Sequence, residues 1–274
     1  MRSARHRTLA TLVVVCSALL AATGCEVAFS SFHAEARDEW TKSFQPAAGI
    51  RLEIDNTNGT IEVDPSADGQ VHVRAERVAK AATDEAAKDL LKKIEIRELV
   101  DSVAIRLETR SPSGGFLSGG QAKVNYFVKV PASMEARLQN TNGGITLRDL
   151  TGPVDASTTN GGIEGRGLRG AVKAATTNGG INVDLSAIGD SGVTLETTNG
   201  GIRLTLPEDA KADITASVVN GGVDVSGLKA EASGESSRRR FEGRLNGGGP
   251  RVTAETVNGG VKVASRPGAV KPQG

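Results

Sequence analysis

The stretch TTNGGIEGRGLRGAVKAATTNGGINVDL, residues 158–185, contains TTNGGI twice, eighteen residues apart, and the phrase returns at Thr197 as TTNGGIRL. Aligned on its asparagine, the unit occurs at Asn58, Asn142, Asn160, Asn178, Asn199, Asn220 and Asn258, at intervals of 84, 18, 18, 21, 21 and 38 residues. Periods near twenty with strand-like units are what stacked solenoid rungs produce. The first interval then holds an insertion, and the last has about two repeats' length.

Six and four residues before each asparagine stand Leu52/Ile54, Ala136/Leu138, Val154/Ala156, Val172/Ala174, Val193/Leu195, Ile214/Ala216 and Val252/Ala254. Their neighbours, such as Asp155, Lys173, Glu196 and Glu255, are polar, which is the alternation of a half-buried strand. Three and five residues after it come Ile61/Val63, Ile145/Leu147, Ile181/Val183, Ile202/Leu204, Val223/Val225 and Val261/Val263, while the Asn160 copy keeps only Ile163. The inward parity slips by one across Gly-Gly, so the chain turns a corner there, with glycine expected to supply a positive φ. An Asn-Gly pair between strands also permits an antiparallel hairpin. A stack of identical corners accounts better for the repetition. It predicts an all-β parallel β-solenoid whose equivalent side chains lie about 4.8 Å apart, close enough for the asparagines to form a structural ladder.

Composition agrees with a narrow interior. Of 274 residues 38% are hydrophobic but 3% are aromatic, and 34 are glycine. Ala156, Ala174, Ala216 and Ala254 share one inward column beside columns of Val, Ile and Leu, and such a thin core needs no aromatic filling. Within the long first interval, TDEAAKDLLKKI places Ala87, Leu90, Leu91 and Ile94 at helical spacing, with Thr83 as N-cap and Asp84 and Glu85 in the first turn. A helix is predicted at about 83–94, inside an N-terminal capping sheet over 48–130 that covers the open first rung. The solenoid repeats take 131–264, with KAEASGESSRRRFEGRLNGGGP as an irregular loop over 229–250 and a tail over 265–274.

The N-terminus reads as an export signal over residues 1–24, since MRSARHR is basic and TLATLVVVCSALLAA is too short for a membrane span. The following ATGC resembles the lipobox of bacterial lipoproteins, with Ala22 where leucine is usual. The resemblance implies that Cys25 becomes the lipidated first residue, ahead of a linker over 25–47. Cys16 leaves with the signal, so no internal disulfide framework remains. Loss of Arg2, Arg5 and Arg7 takes the formal charge from +1 to −2, which leaves no nucleic-acid footprint.

The segments LEIDNTNGTIEV, FVKVPASMEARLQNTNGGITL, the TTNGGI copies, LTLPEDAKADITASVVNGGVDV and GGGPRVTAETVNGGVKV together resemble the bacterial "putative adhesin" family of unknown function, DUF4097, over about residues 48–263. That resemblance implies glycine-rich β-solenoid rungs behind a sheet with one helix. It also implies a non-catalytic envelope protein.

Other signals have structural explanations. GRGLRG, residues 165–170, matches the dinucleotide pattern G-x-G-x-x-G, but the fingerprint needs a helix after it, and AVKAATTN there reads as another inward-alternating strand. NGGIEG does not repeat the third glycine and aspartate of calcium-binding nonapeptides. The outward columns Glu62, Thr146, Glu164, Asn182, Arg203, Asp224, Lys262 and Asp64, Arg148, Arg166, Asp184, Thr205, Ser226 alternate in sign, as a solvated face does. The threonines Thr57, Thr141, Thr159, Thr177 and Thr198 form an outward column that gives way to Val219 and Val257. After the signal only His33, near the linker, and His72, on an early strand, remain, which gives neither a histidine metal cluster nor a Ser/His/Asp set.

The sequence therefore predicts a non-enzymatic, lipid-anchored cell-envelope protein with no cofactor or metal, which binds a surface polymer or protein partner and reaches the membrane through Cys25. An envelope-stress or regulatory accessory protein is the alternative, and a polysaccharide-active enzyme the third. Cys25→Ser is expected to release the protein into the soluble fraction or block its processing. Normal maturation with unchanged membrane association would contradict the anchor, because acyl chains are the strong membrane attachment this sequence offers.

Overall fold

A computed structural model describes residues 33–112 and 120–266. The expected export signal of residues 1–24, Cys25 and most of the tail lie outside the described residues. The chain begins with β1 (Ala34–Phe44), β2 (Arg51–Asn58), β3 (Ile61–Pro65), β4 (Val71–Ala81), α1 (Asp84–Lys92), β5 (Glu95–Val100), β6 (Ala104–Arg110) and β7 (Gly120–Val130). Strand pairs follow, one pair to a rung: β8 (Ala136–Asn142) with β9 (Ile145–Arg148), β10 (Val154–Asn160) with β11 (Ile163–Leu168), β12 (Val172–Asn178) with β13 (Ile181–Leu185), and β14 (Val193–Asn199) with β15 (Ile202–Leu206). The remaining elements are β16 (Ala212–Asn220), β17 (Val223–Ser226), β18 (Ala230–Ser236), β19 (Arg240–Leu245), β20 (Arg251–Asn258) and β21 (Val261–Ser265).

These strands make two sheets. One runs β1-β4-β7-β3-β9-β11-β13-β15-β21-β17, the other β18-β19-β16-β20-β14-β12-β10-β8-β2-β6-β5. Between rungs the pairing is parallel and in register, with Asn142, Asn160 and Asn178 directly opposite one another. The fold is the parallel β-solenoid that the repeat predicts. An inward column runs unbroken through the second sheet: Ile54, Leu138, Ala156, Ala174, Leu195, Ala254 and Ala216 are each at most 1% exposed and adjoin one another in register.

The rungs do not stack in sequence order. β20 and β21, the last strands of the chain, lie between β14/β15 and β16/β17. The chain leaves a place for one rung, builds the next, and returns to fill the gap. The 229–250 segment is correspondingly no irregular loop: β18 and β19 form an antiparallel hairpin that extends the second sheet beyond β16.

The N-terminal boundaries also differ from the sequence reading. Ala34–Phe44, assigned there to a linker, pairs antiparallel with β4 along its whole length. Its outward charges meet opposite charges on β4, Arg37 with Glu76 at 2.9 Å, Lys80 with Glu35 at 3.2 Å, and Arg77 with Asp38 through two hydrogen bonds. A strand whose composition is polar because its partners are charged looks like a linker when read alone. The 48–130 segment is not a separate sheet either, since β2 and β3 are themselves a rung, paired with β8 and β9. The helix forms at Asp84–Lys92, and the Thr83 side chain caps it by accepting from the Ala86 N–H.

The corner at residues 178–180 forms without the expected backbone conformation, since neither Gly179 nor Gly180 has a positive φ. The first glycine does have one at Gly59 (117°), Gly143 (140°), Gly200 (158°), Gly221 (152°) and Gly259 (156°). What Gly179 lacks room for is a side chain: a Cβ there would lie 1.9 Å from the Gly161 carbonyl oxygen of the adjoining rung. The narrow core gives a direct test of the assigned parity. Ala174→Phe should overpack it and destabilise by about 1–3 kcal/mol, whereas exposed Lys173→Ala should change stability by less than about 0.5 kcal/mol. Denaturant titration would measure both, and equal effects would contradict the parity.

Candidate functional site: the corner columns

Each Asn-Gly-Gly corner can be followed through its polar groups. The Asn142 Nδ2 donates to Asn58 Oδ1 at 2.9 Å, and the pattern continues through Asn160, Asn178, Asn199, Asn258 and Asn220, each donating to the asparagine before it at 2.8–2.9 Å. All seven predicted asparagines thus lie in one exposed or half-exposed column, in the spatial order of the rungs.

A second ladder runs inside the corner and was missed in the sequence. The threonine two residues before the asparagine faces inward: Thr158, Thr176, Thr197 and Thr256 are 4–6% exposed. Their hydroxyls donate to the carbonyls of Gly143, Gly161, Gly179 and Gly200 at 2.9–3.0 Å. Asn140 does the same for Gly59 through its amide at 2.8 Å. A buried backbone carbonyl without a partner would cost about 1–3 kcal/mol, so this column satisfies the group that close stacking would otherwise strand. The signal was present, because strand alternation places the residue two before each asparagine on the same face as the residue four before it.

The two glycines of each corner have different roles. The N–H of the first donates to the asparagine carbonyl of the next rung, as in Gly161 to Asn178 at 3.0 Å, and a Cβ on it would meet the preceding rung, 2.1 Å from the Gly143 carbonyl oxygen, which excludes any side chain. The carbonyl of the second accepts from the adjoining strand, as in Ile163 N–H to Gly180 at 3.0 Å. The N–H groups of these second glycines, Gly144, Gly162, Gly180, Gly201, Gly260 and Gly222, have no protein acceptor among the described residues. A Cβ here would stay 3.3–3.8 Å from its nearest neighbour, a backbone carbonyl oxygen, which is tight at Gly144, Gly162 and Gly180 and ordinary contact at Gly260 and Gly222, and the first rung carries Thr60 at this position. In that rung the N–H is capped from within, donating to Asn125 Oδ1 at 3.2 Å.

The second glycines floor an open groove of about 820 Å³ that follows the stack. Its rim is the outward column of Thr146, Glu164, Asn182, Arg203, Lys262 and Asp224. Glu164 pairs with Arg166, and Asp224 with Lys262 at 3.5 Å. Arg203 is exposed and forms no ion pair among the described residues. A second groove of about 840 Å³ lies on the other sheet, between the threonine column and the turn of the β18–β19 hairpin. There Thr177 and Thr198 lead to Val257 and Val219, which are 39% and 56% exposed.

The enzymatic signals fall on ordinary structure. GRGLRG lies on β11 and the turn after it, and the next element is strand β12. The carboxylates of the outward column are largely engaged, as where Arg148 bridges Glu62 and Asp64; both acids, Asp64 first, raise the Arg148 pKa. The structure does join three residues that the sequence leaves apart. Ser43 Oγ lies 2.9 Å from His72 Nδ1, and His72 Nε2 lies 2.7 Å from Asp68 Oδ2. The Gln70 backbone N–H, and after it the imidazole, hold the Asp68 carboxyl below its usual range. His72 and Asp68 are 38% and 49% exposed, so this chain lacks the dry surroundings that make a Ser-His-Asp set catalytic. Among the described residues no group of three or more His, Cys, Asp or Glu could hold a metal, and no helix is long and apolar enough to cross a membrane.

The Toastrack DUF4097 family matches residues 128–264, half of the 274-residue chain. The chain belongs to this family. The match thus runs from the end of β7 to β21, and the first rung, β2/β3, repeats the corner outside the matched span. The chain is also similar to the solved "putative cell adhesion protein" of Clostridium sporogenes, at 13% identity over 84% of this chain and 100% of that one, with a TM-score of 0.47. A "putative adhesin" of Bacteroides fragilis is 11% identical over 84% and 97%, with a TM-score of 0.29. A "putative lipid binding protein" of Parabacteroides distasonis is 11% identical over the same shares, with a TM-score of 0.27. No curated protein matches.

Proposed function

We propose that this Toastrack protein is a non-catalytic, adhesin-like binding protein, tethered at the cell envelope by lipid on Cys25, whose glycine-floored groove takes an extended polymer along the stack. The observation that carries this reading is the row of six unbonded backbone N–H groups, one per rung and about 4.8 Å apart, at positions where a Cβ would meet its nearest neighbour at 3.3–3.8 Å and not at the 1.6–2.1 Å of the first glycines. The carbonyls of the six second glycines are each engaged by a backbone N–H of the adjoining rung, so the floor offers donors without matching acceptors. A peptide strand would bring its own N–H groups to that floor and leave them unpaired. A glycan rich in carboxylate and hydroxyl oxygens meets no such penalty, and Arg203 at the rim favours an acidic one. Asn125 Oδ1 on the Thr60 N–H shows that an oxygen fits the position.

Gly201→Thr with Gly260→Thr should fill the groove in the manner of Thr60 and reduce binding of polygalacturonate at least tenfold, with the unfolding midpoint little changed. Binding isotherms and denaturant titration on the same preparations would decide. Undiminished binding by a folded double variant, or no saturable binding of acidic glycan by the unaltered protein, would contradict the proposal.

A further inference from the structure

The asparagine ladder has a direction. Every Nδ2 donates toward the β2 end of the stack, so the six bonds leave Asn58 as the last donor, its own Nδ2 without a partner among the described residues. Aligned amides polarise one another, and their positive end emerges at Asn58 as side-chain dipoles do in other anion sites.

That end opens on a pocket of about 460 Å³ lined by Asn58, Gly59, Lys80, Gln121 and Lys123, with Val78 and Ala122. Lys80 pairs with Glu35 at 3.2 Å. Lys123 is exposed and forms no ion pair among the described residues. The nearby acids are already engaged: Glu35 also meets Arg37, and Glu76 takes bonds from Arg37 at 2.9 Å and Asn125 at 3.0 Å. Hydrogen bonding holds both below the usual carboxylate range, Glu35 chiefly through Arg37 and Glu76 chiefly through Asn125. They remain ionised and committed to those partners, so the pocket presents two ammonium groups, the Gln121 amide and the free end of the ladder.

We propose that this pocket binds a phosphate-type oxyanion. Charge-assisted bonds from Lys123 and Lys80 would hold it against the Asn58 amide, at a site separate from the glycine groove. The same chemistry could come from free phosphate or from a phospholipid headgroup. β1 begins nine residues after Cys25, a chain length that spans at most about 30 Å, so the headgroup source depends on the lipid anchor whereas the site itself does not.

The test is a titration of the full chain, ¹⁵N-labelled and held in detergent micelles, with inorganic phosphate and separately with glycerophosphoglycerol at constant ionic strength. The Asn58 side-chain amide should shift saturably, and Lys123→Ala should weaken the binding about tenfold. Equal affinity for both probes identifies a headgroup site, and preference for inorganic phosphate a free-ion site. A shift that chloride reproduces, or one that Lys123→Ala leaves unchanged, would overturn the proposal.

Discussion

The structure depends on one close approach of backbone to backbone. At the first glycine of each corner a Cβ would come within 1.6–2.1 Å of a carbonyl oxygen of the adjoining chain segment, far inside any tolerable contact. Glycine lets the rungs descend to sheet spacing at the bend. The same approach buries the glycine carbonyls, and the inward threonines answer them. The asparagines then tie the outer rim, and the thin alanine-rich core follows, because two sheets joined by so tight a bend enclose little volume. An Ala column beside Val, Ile and Leu fills that volume at normal packing density.

Much of this was legible because a solenoid writes its geometry once per rung. Parity before and after Asn-Gly-Gly identified the inward residues, and the repeated asparagine identified the ladder's members. Local reasoning went wrong where neighbours in space are distant in sequence. The need for glycine at residue 179 comes from residue 161, eighteen positions earlier, so a reading confined to the turn assigned it to φ instead. The inner threonines were overlooked for a related reason: their acceptors belong to the previous rung. β1 and the β18–β19 hairpin contain few apolar residues, and β1 is held by ion pairs with β4 whose partners lie 35 to 45 positions away. The glycine floor of the groove was concealed in the repeat, where both glycines look alike and only the coordinates separate the indispensable one from the permissive one.

Rung order is the feature that periodicity could not supply. Arg251–Asn258 pairs on one side with β14 and on the other with β16, and all three strands carry interchangeable patterns. Nothing in a one-dimensional repeat distinguishes the fifth neighbour from the sixth. The consequence is that the stack closes only when the end of the chain enters it, so the C-terminal rung joins contacts of long sequence separation, which form slowly. The glycine groove and the asparagine ladder both cross this inserted rung, through Gly260 and Asn258, and neither column is continuous before it is in place.

The central claim is that the first glycine of the corner is required by the adjoining rung and the second is not. The most direct measurement compares Gly179→Ala with Gly180→Ala by urea unfolding. A methyl at residue 179 must displace the Gly161 carbonyl and its threonine partner, which predicts a loss of about 1–3 kcal/mol, the usual cost of overpacking. A methyl at residue 180 meets its nearest neighbour, the Gly201 carbonyl oxygen, at 3.3 Å, a tight contact that a shift of a few tenths of an ångström relieves, so its loss should be clearly smaller than that at residue 179. Equal losses, or a larger loss at Gly180, would contradict the account of the corner on which the rest stands.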